Sequence, residues 1–195
     1  MAVTAEALDT RTRILDAAFR TVATFGLSRF TVDDVARAAE LSRQTVYRYF
    51  DSKDALIVAL VYREEETFLE GVRQAHAEAP TLQEAMERAI LFCLRLAREH
   101  PLLDRLLESE PEVLLPYLTT RGAGLIARGR AVIEELAAGR NDVRLELIPR
   151  VADLAVRTIV SYTLTPGDDS PEQVARETAR VIAAAVQKRR KEDSR

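Results

Sequence analysis

The sequence is poor in the residues that signal disulfides and metal sites. Its 195 residues include one cysteine, two histidines and no tryptophan. A lone cysteine cannot form an intrachain disulfide, and its apolar neighbours in LFCLRL favour an inert core thiol at Cys93 over a redox-sensitive or ligand-contacting one. His76 and His100 lie far apart without a cysteine or carboxylate cluster at ligand spacing. We therefore expect neither a metal site nor a cofactor.

Long apolar runs are also lacking. The longest extends from Ala55 to Tyr62, far short of the roughly 20 residues that span a bilayer. No basic stretch followed by an apolar segment and a cleavage site opens the chain. With 47% apolar and 30% charged residues, the composition is typical of a globular protein. The expectation is a cytoplasmic protein without a membrane partner.

An overall excess of positive charge is missing as well. The formal net charge is −3, which by itself argues against nucleic acid as a partner. Residues 42–53 are different, because Arg43, Arg48 and Lys53 face only Asp51 there. A second basic stretch, Lys188–Lys191, is open to two interpretations: nucleic-acid binding, or the cationic last turn of a helix that complements its dipole.

Alternation with period two is absent over any useful length, whereas helical periodicity runs nearly end to end. This pattern predicts an all-α fold of about nine helices, three short ones first. The first helix ends before Gly26, a natural residue after a helix C-terminus. Thr31 with Asp34, Ser42, Ser52, Thr81 with Glu84, and Ser170 with Gln173 mark later helix starts. Pro111 and Pro116 are expected to interrupt the chain, and the longer helices are predicted over residues 81–99, 121–138, 148–164 and from 171 onward.

The stretch TVDDVARAAELSRQTVYRYF, residues 31–50, reads as two short capped helices joined by a turn of about three residues, which is a helix-turn-helix. At 100° per residue, Val46 and Phe50 point inward on the second helix. Gln44, Thr45 and Arg48 then point outward, and Tyr47 and Tyr49 flank the inward direction. An amide, a hydroxyl and a guanidinium are the groups that read base edges in a major groove. An ordinary αα-hairpin is the alternative, but it leaves this outward face unexplained.

The run from Arg13 to Leu56, with ILDAAFRTVATFG, FTVDDVARAAELS, TVYRYF and DSKDAL, resembles the DNA-binding domain of the TetR family of bacterial transcription regulators. The resemblance implies that Thr31 and Tyr47 contact phosphate and that Tyr49 and Lys53 hold the DNA backbone at the far edge. It implies further that base edges face Arg43, Gln44 and Thr45, and Ser42 and Arg48 complete the candidate DNA-binding set. We expect a DNA-binding helix-turn-helix domain over residues 1–52 and a ligand-binding and dimerisation domain over residues 53–195.

One position departs from the family's pattern. The family usually has glycine in the turn where this chain has Glu40. A left-handed conformation there costs a non-glycine residue on the order of 1 kcal/mol, so a slight rearrangement of the turn is expected.

The leading functional hypothesis is a ligand-responsive regulator that binds a palindromic double-stranded operator as a homodimer, acting as a repressor. An activator and a helical adaptor without DNA binding are the alternatives. An enzyme would need acid–base groups such as Glu108 and Glu110. These carboxylates lie in a polar, proline-broken stretch without a nearby histidine, cysteine or glycine-rich loop, so no enzymatic activity is expected.

The later helices provide candidate residues for a partner subunit and for an effector. Residues 148–164 are apolar on more than one face, which predicts one face for the core and one for a second subunit. The candidate interface residues are Leu154, Ala155, Ile159, Val174, Ile182 and Val186. A cavity for a small hydrophobic or lipid-like effector is implied by the family resemblance, and a dense core fits the same residues. The candidate lining residues are Tyr62, Phe68, Met86, Ile90, Cys93, Leu94, Leu125, Val132 and Tyr162.

Overall fold

The computed structural model describes residues 5–77 and 79–187, and over these ranges the chain is all-α, as predicted. It forms ten α-helices, one more than the sequence pattern indicates, and one 3-10 helix, Leu145–Leu147. Val143 and Gln187 pair in an isolated bridge. The basic stretch Lys188–Lys191 lies outside the described residues. The helices are α1 Ala5–Phe25, α2 Val32–Ala38, α3 Arg43–Tyr49, α4 Lys53–Ala77, α5 Leu82–Glu99, α6 Pro101–Ser109, α7 Pro111–Leu118, α8 Ala123–Ala138, α9 Ile148–Leu164 and α10 Pro171–Val186.

The chain packs as two compact units. The first contains the described residues up to Thr67 together with His100–Leu115, and the second contains Phe68–Glu99 and the described residues from Pro116 onward. In terms of packing, the N-terminal unit is therefore larger than residues 1–52, because the first part of α4 and all of α6 join it. The functional boundary between residues 52 and 53 stays a prediction.

The first unit is built around the three N-terminal helices. Its most deeply buried side chains come from α1, from the loop before α2, and from α2, α3 and α4; they include Ile14, Leu15, Val22, Phe30, Val35, Val46, Leu56 and Leu60. Helix α6 adds Leu102 and Leu106 to the same cluster. This continuous core gives the two short helices α2 and α3 the tertiary support that helices of seven residues lack on their own.

A buried carboxylate fastens the end of α6 to the loop after α1. Glu110 is only 6% exposed. Its oxygens accept hydrogen bonds from the backbone N–H groups of Leu27, at 2.7 Å, and Ser28, at 3.1 Å. Gly26 lies directly beside it at φ 84°, and a Cβ atom there would come within 2.6 Å of the Glu110 carboxylate. Both Glu110 oxygens are thus engaged in holding the loop, whereas Glu108 is exposed.

A polar chain also links α1, α4 and the start of α6. Arg63 contacts Asp16 at 2.6 Å and Glu64 at 2.7 Å. Glu64 in turn lies 3.5 Å from Nε2 of His100. Nδ1 of His100 accepts the N–H of Leu103 and so caps α6, which shows that this histidine is part of the fold.

The second unit combines the later half of α4 with α5, α8, α9 and α10. Apolar side chains of α5 and α10 form its centre, including Ile90, Leu94, Val174, Ala175, Ala179 and Ile182. Two ion pairs also join these helices, Arg95–Glu172 at 2.7 Å and Arg176–Glu87 at 3.6 Å. The Arg95 hydrogen bond is the main reason that the pKa of Glu172 falls to about 2.

The predicted helix starts are confirmed where a side-chain cap marks them. Thr31 and Asp34 form a complete capping box, Ser42 accepts the Thr45 N–H, and Ser170 accepts the Gln173 N–H. Pro116 differs from expectation, because it lies inside α7 rather than breaking it. That helix ends only two residues later, at Leu118, so the proline disturbs few of its backbone hydrogen bonds. The 3-10 helix at Leu145–Leu147 was also not predicted.

The turn between α2 and α3 keeps the left-handed conformation despite lacking glycine. Glu40 has φ 55° and is the one non-glycine residue with positive φ in the described ranges. Its N–H donates to the Arg37 carbonyl and the Leu41 N–H donates to the Ala36 carbonyl. These two bonds constitute the Schellman motif that ends many helices. The predicted rearrangement of the turn is therefore wrong. The hydrogen bonds of the motif hold the Glu40 backbone in the left-handed conformation.

Replacing Glu40 with glycine should consequently stabilise the protein. Removal of the Cβ relieves a left-handed strain of about 1 kcal/mol, and the greater freedom of glycine in the unfolded chain offsets part of that gain. Glu40→Ala retains the Cβ and is the matched control. Urea unfolding should show a higher midpoint for Glu40→Gly than for Glu40→Ala, and equal midpoints would contradict the assignment of strain to this turn.

Candidate nucleic-acid interface

The structure brings the predicted DNA-binding residues together at one surface formed by α2, α3 and the start of α4. Val46 and Phe50 are buried, at 1% and 6% exposure, and anchor α3 to the core. Arg43, Gln44 and Arg48 are exposed. The outward face predicted by helical periodicity is thus present, with its amide and guanidinium groups open to solvent.

Thr45 departs in part from the predicted outward arrangement. It is half-buried, and its hydroxyl lies 2.8 Å from the Ser42 hydroxyl at the cap of α3. The two tyrosines also differ from each other. Tyr47 is 36% exposed, whereas Tyr49 is half-buried against the core of the first unit. Of the two, Tyr47 is the better placed to reach a partner.

The cationic side chains of this surface rest on aromatic rings. Arg43 lies over the Tyr47 ring, at 5.4 Å from its centroid, and Arg48 over the Tyr49 ring, at 5.5 Å. Each contact favours a defined position for a flexible cation. The surface is thereby partly organised before any partner binds.

Two further cations extend the surface beyond α3. The Lys53 ammonium lies 4.3 Å from the Phe30 ring centroid and donates to the Ser28 carbonyl at 3.4 Å. Arg11 lies over the Phe50 ring at 5.3 Å. Arg11 was missed by the sequence reasoning, because it precedes the helix-turn-helix by a full helix and only the folded chain brings it to the end of α3.

Thr31 begins α2 at the edge of this surface. Its hydroxyl donates to the Asp34 carboxylate at 2.6 Å and accepts the Asp34 N–H at 3.2 Å. Hydrogen bonds from the Thr31 hydroxyl and backbone lower the pKa of Asp34. Because an unprotonated phosphate oxygen can only accept a hydrogen bond, the Thr31 hydroxyl must turn its O–H away from the Asp34 carboxylate to contact a phosphate.

Comparison with known proteins agrees with this geometry. Residues 14–60 match the family described as bacterial regulatory proteins, tetR family, and residues 81–184 match the tetracyclin repressor C-terminal domain. The chain belongs to the TetR family. The predicted resemblance is confirmed, and it extends beyond the helix-turn-helix through the later helices as well.

Individual relatives support the same assignment. The HTH-type transcriptional regulator AlkX of Mycobacterium tuberculosis is 30% identical over 178 residues, covering 88% of this chain and 82% of the relative. Another HTH-type regulator of that species is 30% identical over 169 residues, covering 84% and 79%. The crystal structure of the TetR family repressor AlkX from Dietzia sp. has a TM-score of 0.67 at 26% identity, covering 90% and 94%. This TetR-family chain is a DNA-binding transcription regulator.

The candidate effector residues lie mostly in the interior of the second unit. Cys93 clusters with Val72 and Val132, and Phe68 packs against them; burial raises the pKa of the Cys93 thiol to about 12. Ile90, Leu94, Met86 and Tyr162 belong to the neighbouring cluster, and Leu125 is half-buried. Tyr62 is the departure, because it is 64% exposed and lies in the first unit.

The candidate dimer residues divide into two groups. Ala155, Val174, Ile182 and Val186 are nearly fully buried within the chain's own second unit, and Ile159 packs beside them. Their side chains pack within the subunit's own core, and the assignment of these residues to a dimer interface stays a prediction. Leu154 is 63% exposed, and Val181, which the sequence reasoning did not select, is 64% exposed. Helices α9 and α10 thus each carry an exposed apolar side chain.

Within residues 5–77 and 79–187, no cluster of three histidine, cysteine or carboxylate side chains has the arrangement to hold a metal ion. In the same part of the chain, none of the helices has the length and apolarity required to cross a bilayer.

Proposed function

We propose that this chain is a homodimeric repressor that reads a palindromic operator with α3 of each subunit and releases it when a small hydrophobic effector binds. The observation that carries the DNA-reading part is the exposed face of α3, where Arg43 and Gln44 stand beside Tyr47 and Arg48. Arginine fits the acceptor edge of guanine and glutamine fits adenine. The protein is then expected to work in the bacterial cytoplasm, where its DNA lies.

A single seven-residue helix contacts only a few base pairs, so useful specificity requires two copies. In helix-turn-helix dimers the half-sites lie about 34 Å apart or at a longer spacing. In vitro selection from a random duplex pool, followed by sequencing, tests this proposal. The expected result is an inverted repeat bound more tightly than random DNA. Failure to enrich any sequence, with binding no stronger than to random duplex, would favour the helical adaptor instead.

The dimer is proposed to form through the outer faces of α9 and α10. Leu154→Glu and Val181→Glu should each raise the dimer dissociation constant at least about tenfold, because burying a carboxylate at an apolar contact costs more than 1.4 kcal/mol. Val58→Glu is the control, since Val58 is similarly exposed, at 53%, but lies on α4. Light scattering should give twice the 21.8 kDa subunit mass for the native chain. A monomeric native chain at micromolar concentration would contradict the proposal.

The effector is proposed to be an apolar or lipid-like molecule held in the second unit. The apolar surroundings of Cys93 and Phe68 support this class, as does the similarity to AlkX from Dietzia sp., a repressor implicated in biodegradation of n-alkanes. An effector that prefers one conformation typically changes DNA affinity by ~1 to 3 kcal/mol, and operator DNA must change effector affinity equally. Mass spectrometry of molecules extracted from protein purified from its bacterial host should reveal long-chain compounds. A purely polar set of ligands would contradict this class.

A further inference from the structure

An exposed acidic residue, Asp33, holds the first residue of the proposed reading helix. Oδ2 of Asp33, in the first turn of α2, lies 2.9 Å from Nη1 of Arg43. On its other side, Nη2 of Arg43 donates to the Tyr47 hydroxyl at 3.4 Å, and the guanidinium lies over the Tyr47 ring. Arg43 is therefore held by an acid and by an aromatic ring while part of its donor set stays open.

Asp33 does not take part in the N-terminal capping box of α2. The adjacent residue, Asp34, supplies the carboxylate of the capping box with Thr31. The Asp33 and Arg43 side chains are 51% and 59% exposed, and exposed ion pairs contribute little to stability. The main consequence of the pair is thus electrostatic, because Asp33 places a negative charge on the surface that is proposed to face DNA.

This charge affects random and specific DNA differently. Binding to random DNA depends on cations that neutralise phosphates and release counterions. A guanidinium already paired with a carboxylate attracts phosphate less, whereas its remaining N–H donors can still form directed bonds to a base edge. Pairing with Asp33 therefore weakens the sequence-independent attraction of Arg43 for phosphate more than its sequence-specific contact with a base edge.

We propose that Asp33 is a specificity-determining residue, which holds Arg43 away from phosphates and so suppresses binding to random DNA. The proposal deepens the DNA-reading function above and rests on it. Asp33→Asn should raise affinity for a random-sequence duplex about threefold or more at low salt and steepen its salt dependence by about 0.9 in log–log slope, the value for one more phosphate contact. Affinity for the selected operator should rise less, so the specificity ratio falls.

A double-mutant cycle separates this role from a general effect of charge. In an Arg43→Gln background, Asp33→Asn should lose most of its effect on the specificity ratio, because its partner is gone. Asp51→Asn is the matched control: it removes one carboxylate just beyond α3, at an exposed residue for which the described structure records no ion pair. It should strengthen binding to both DNAs alike and leave the ratio unchanged. Circular dichroism verifies that each variant is folded.

The outcomes distinguish the proposed role of Asp33 from the proposed DNA-reading function of α3. An unchanged ratio for Asp33→Asn, a change no larger than that for Asp51→Asn, or the same change with and without Arg43 would overturn the role of Asp33 alone. A native chain that selects no operator would overturn both proposals. Fluorescence anisotropy with the selected duplex and a shuffled duplex, across a salt series, supplies every measurement.

Discussion

Replacing Glu110 with alanine should lower the free energy of unfolding of the first unit by about 1.5 to 3 kcal/mol, the usual contribution of hydrogen bonds to a charged group. The Glu110 carboxylate is buried and accepts the N–H groups of Leu27 and Ser28. Alanine would leave both donors without their partner and open a cavity next to Gly26. Urea unfolding followed by circular dichroism, with hydrogen exchange at the Leu27 and Ser28 amides, measures the loss.

Two variants sharpen this test. Glu108→Ala removes an exposed carboxylate two residues earlier and should change stability by about 0.5 kcal/mol or less. Glu110→Gln keeps the shape but presents an amide N–H group to a backbone donor, so its stability should fall between the other two. Glu110→Ala as stable as Glu108→Ala, with amide exchange unchanged, would show that the carboxylate does not hold this loop.

Alanine substitutions at the proposed reading residues of α3 should each relax sequence preference while leaving the fold intact. Arg43→Ala, Gln44→Ala and Thr45→Ala should each cost ~1 to 3 kcal/mol of binding to the selected operator and relax its sequence preference. Lys53→Ala, which removes a phosphate-seeking cation, should instead weaken all sequences alike. Anisotropy titrations with operator and random duplexes measure both quantities.

Thr45 provides an internal check on this prediction. Its hydroxyl contacts Ser42, so part of any loss for Thr45→Ala comes from the cap of α3. Gln44 has no such structural role in the described contacts and gives the cleaner result. Lys53→Ala is expected to lose equal affinity for operator and random DNA. If Gln44→Ala did the same, the reading surface would lie elsewhere.

The helix-turn-helix could be predicted closely because its signals are local. Caps at Thr31 and Ser42 use side chains within three residues of the groups they satisfy, and the burial of Val46 and Phe50 follows from helical periodicity. Glu40 was harder, because propensity opposes a left-handed glutamate while the surrounding hydrogen bonds of the Schellman motif enforce it. The sequence shows the cost but not the contacts that outweigh it.

Contacts between distant residues could not be predicted in the same way. Glu110 and Leu27 are 83 positions apart, and Arg11 meets Phe50 only in the folded chain. The apolar faces of α9 and α10 were recognised, but periodicity alone does not tell which face packs inward. Val174 and Val181 are on the same helix, yet one is buried and the other is 64% exposed.

The central claim, that the exposed face of α3 reads DNA sequence, is tested most directly by parallel in vitro selections with the native chain and with Gln44→Ala. Substituting one reading residue should remove sequence information at symmetry-related positions of both half-sites and leave the other positions and the half-site spacing unchanged. Enrichment of the same full-length sequence by both proteins, with equal preference at every position, would contradict the claim.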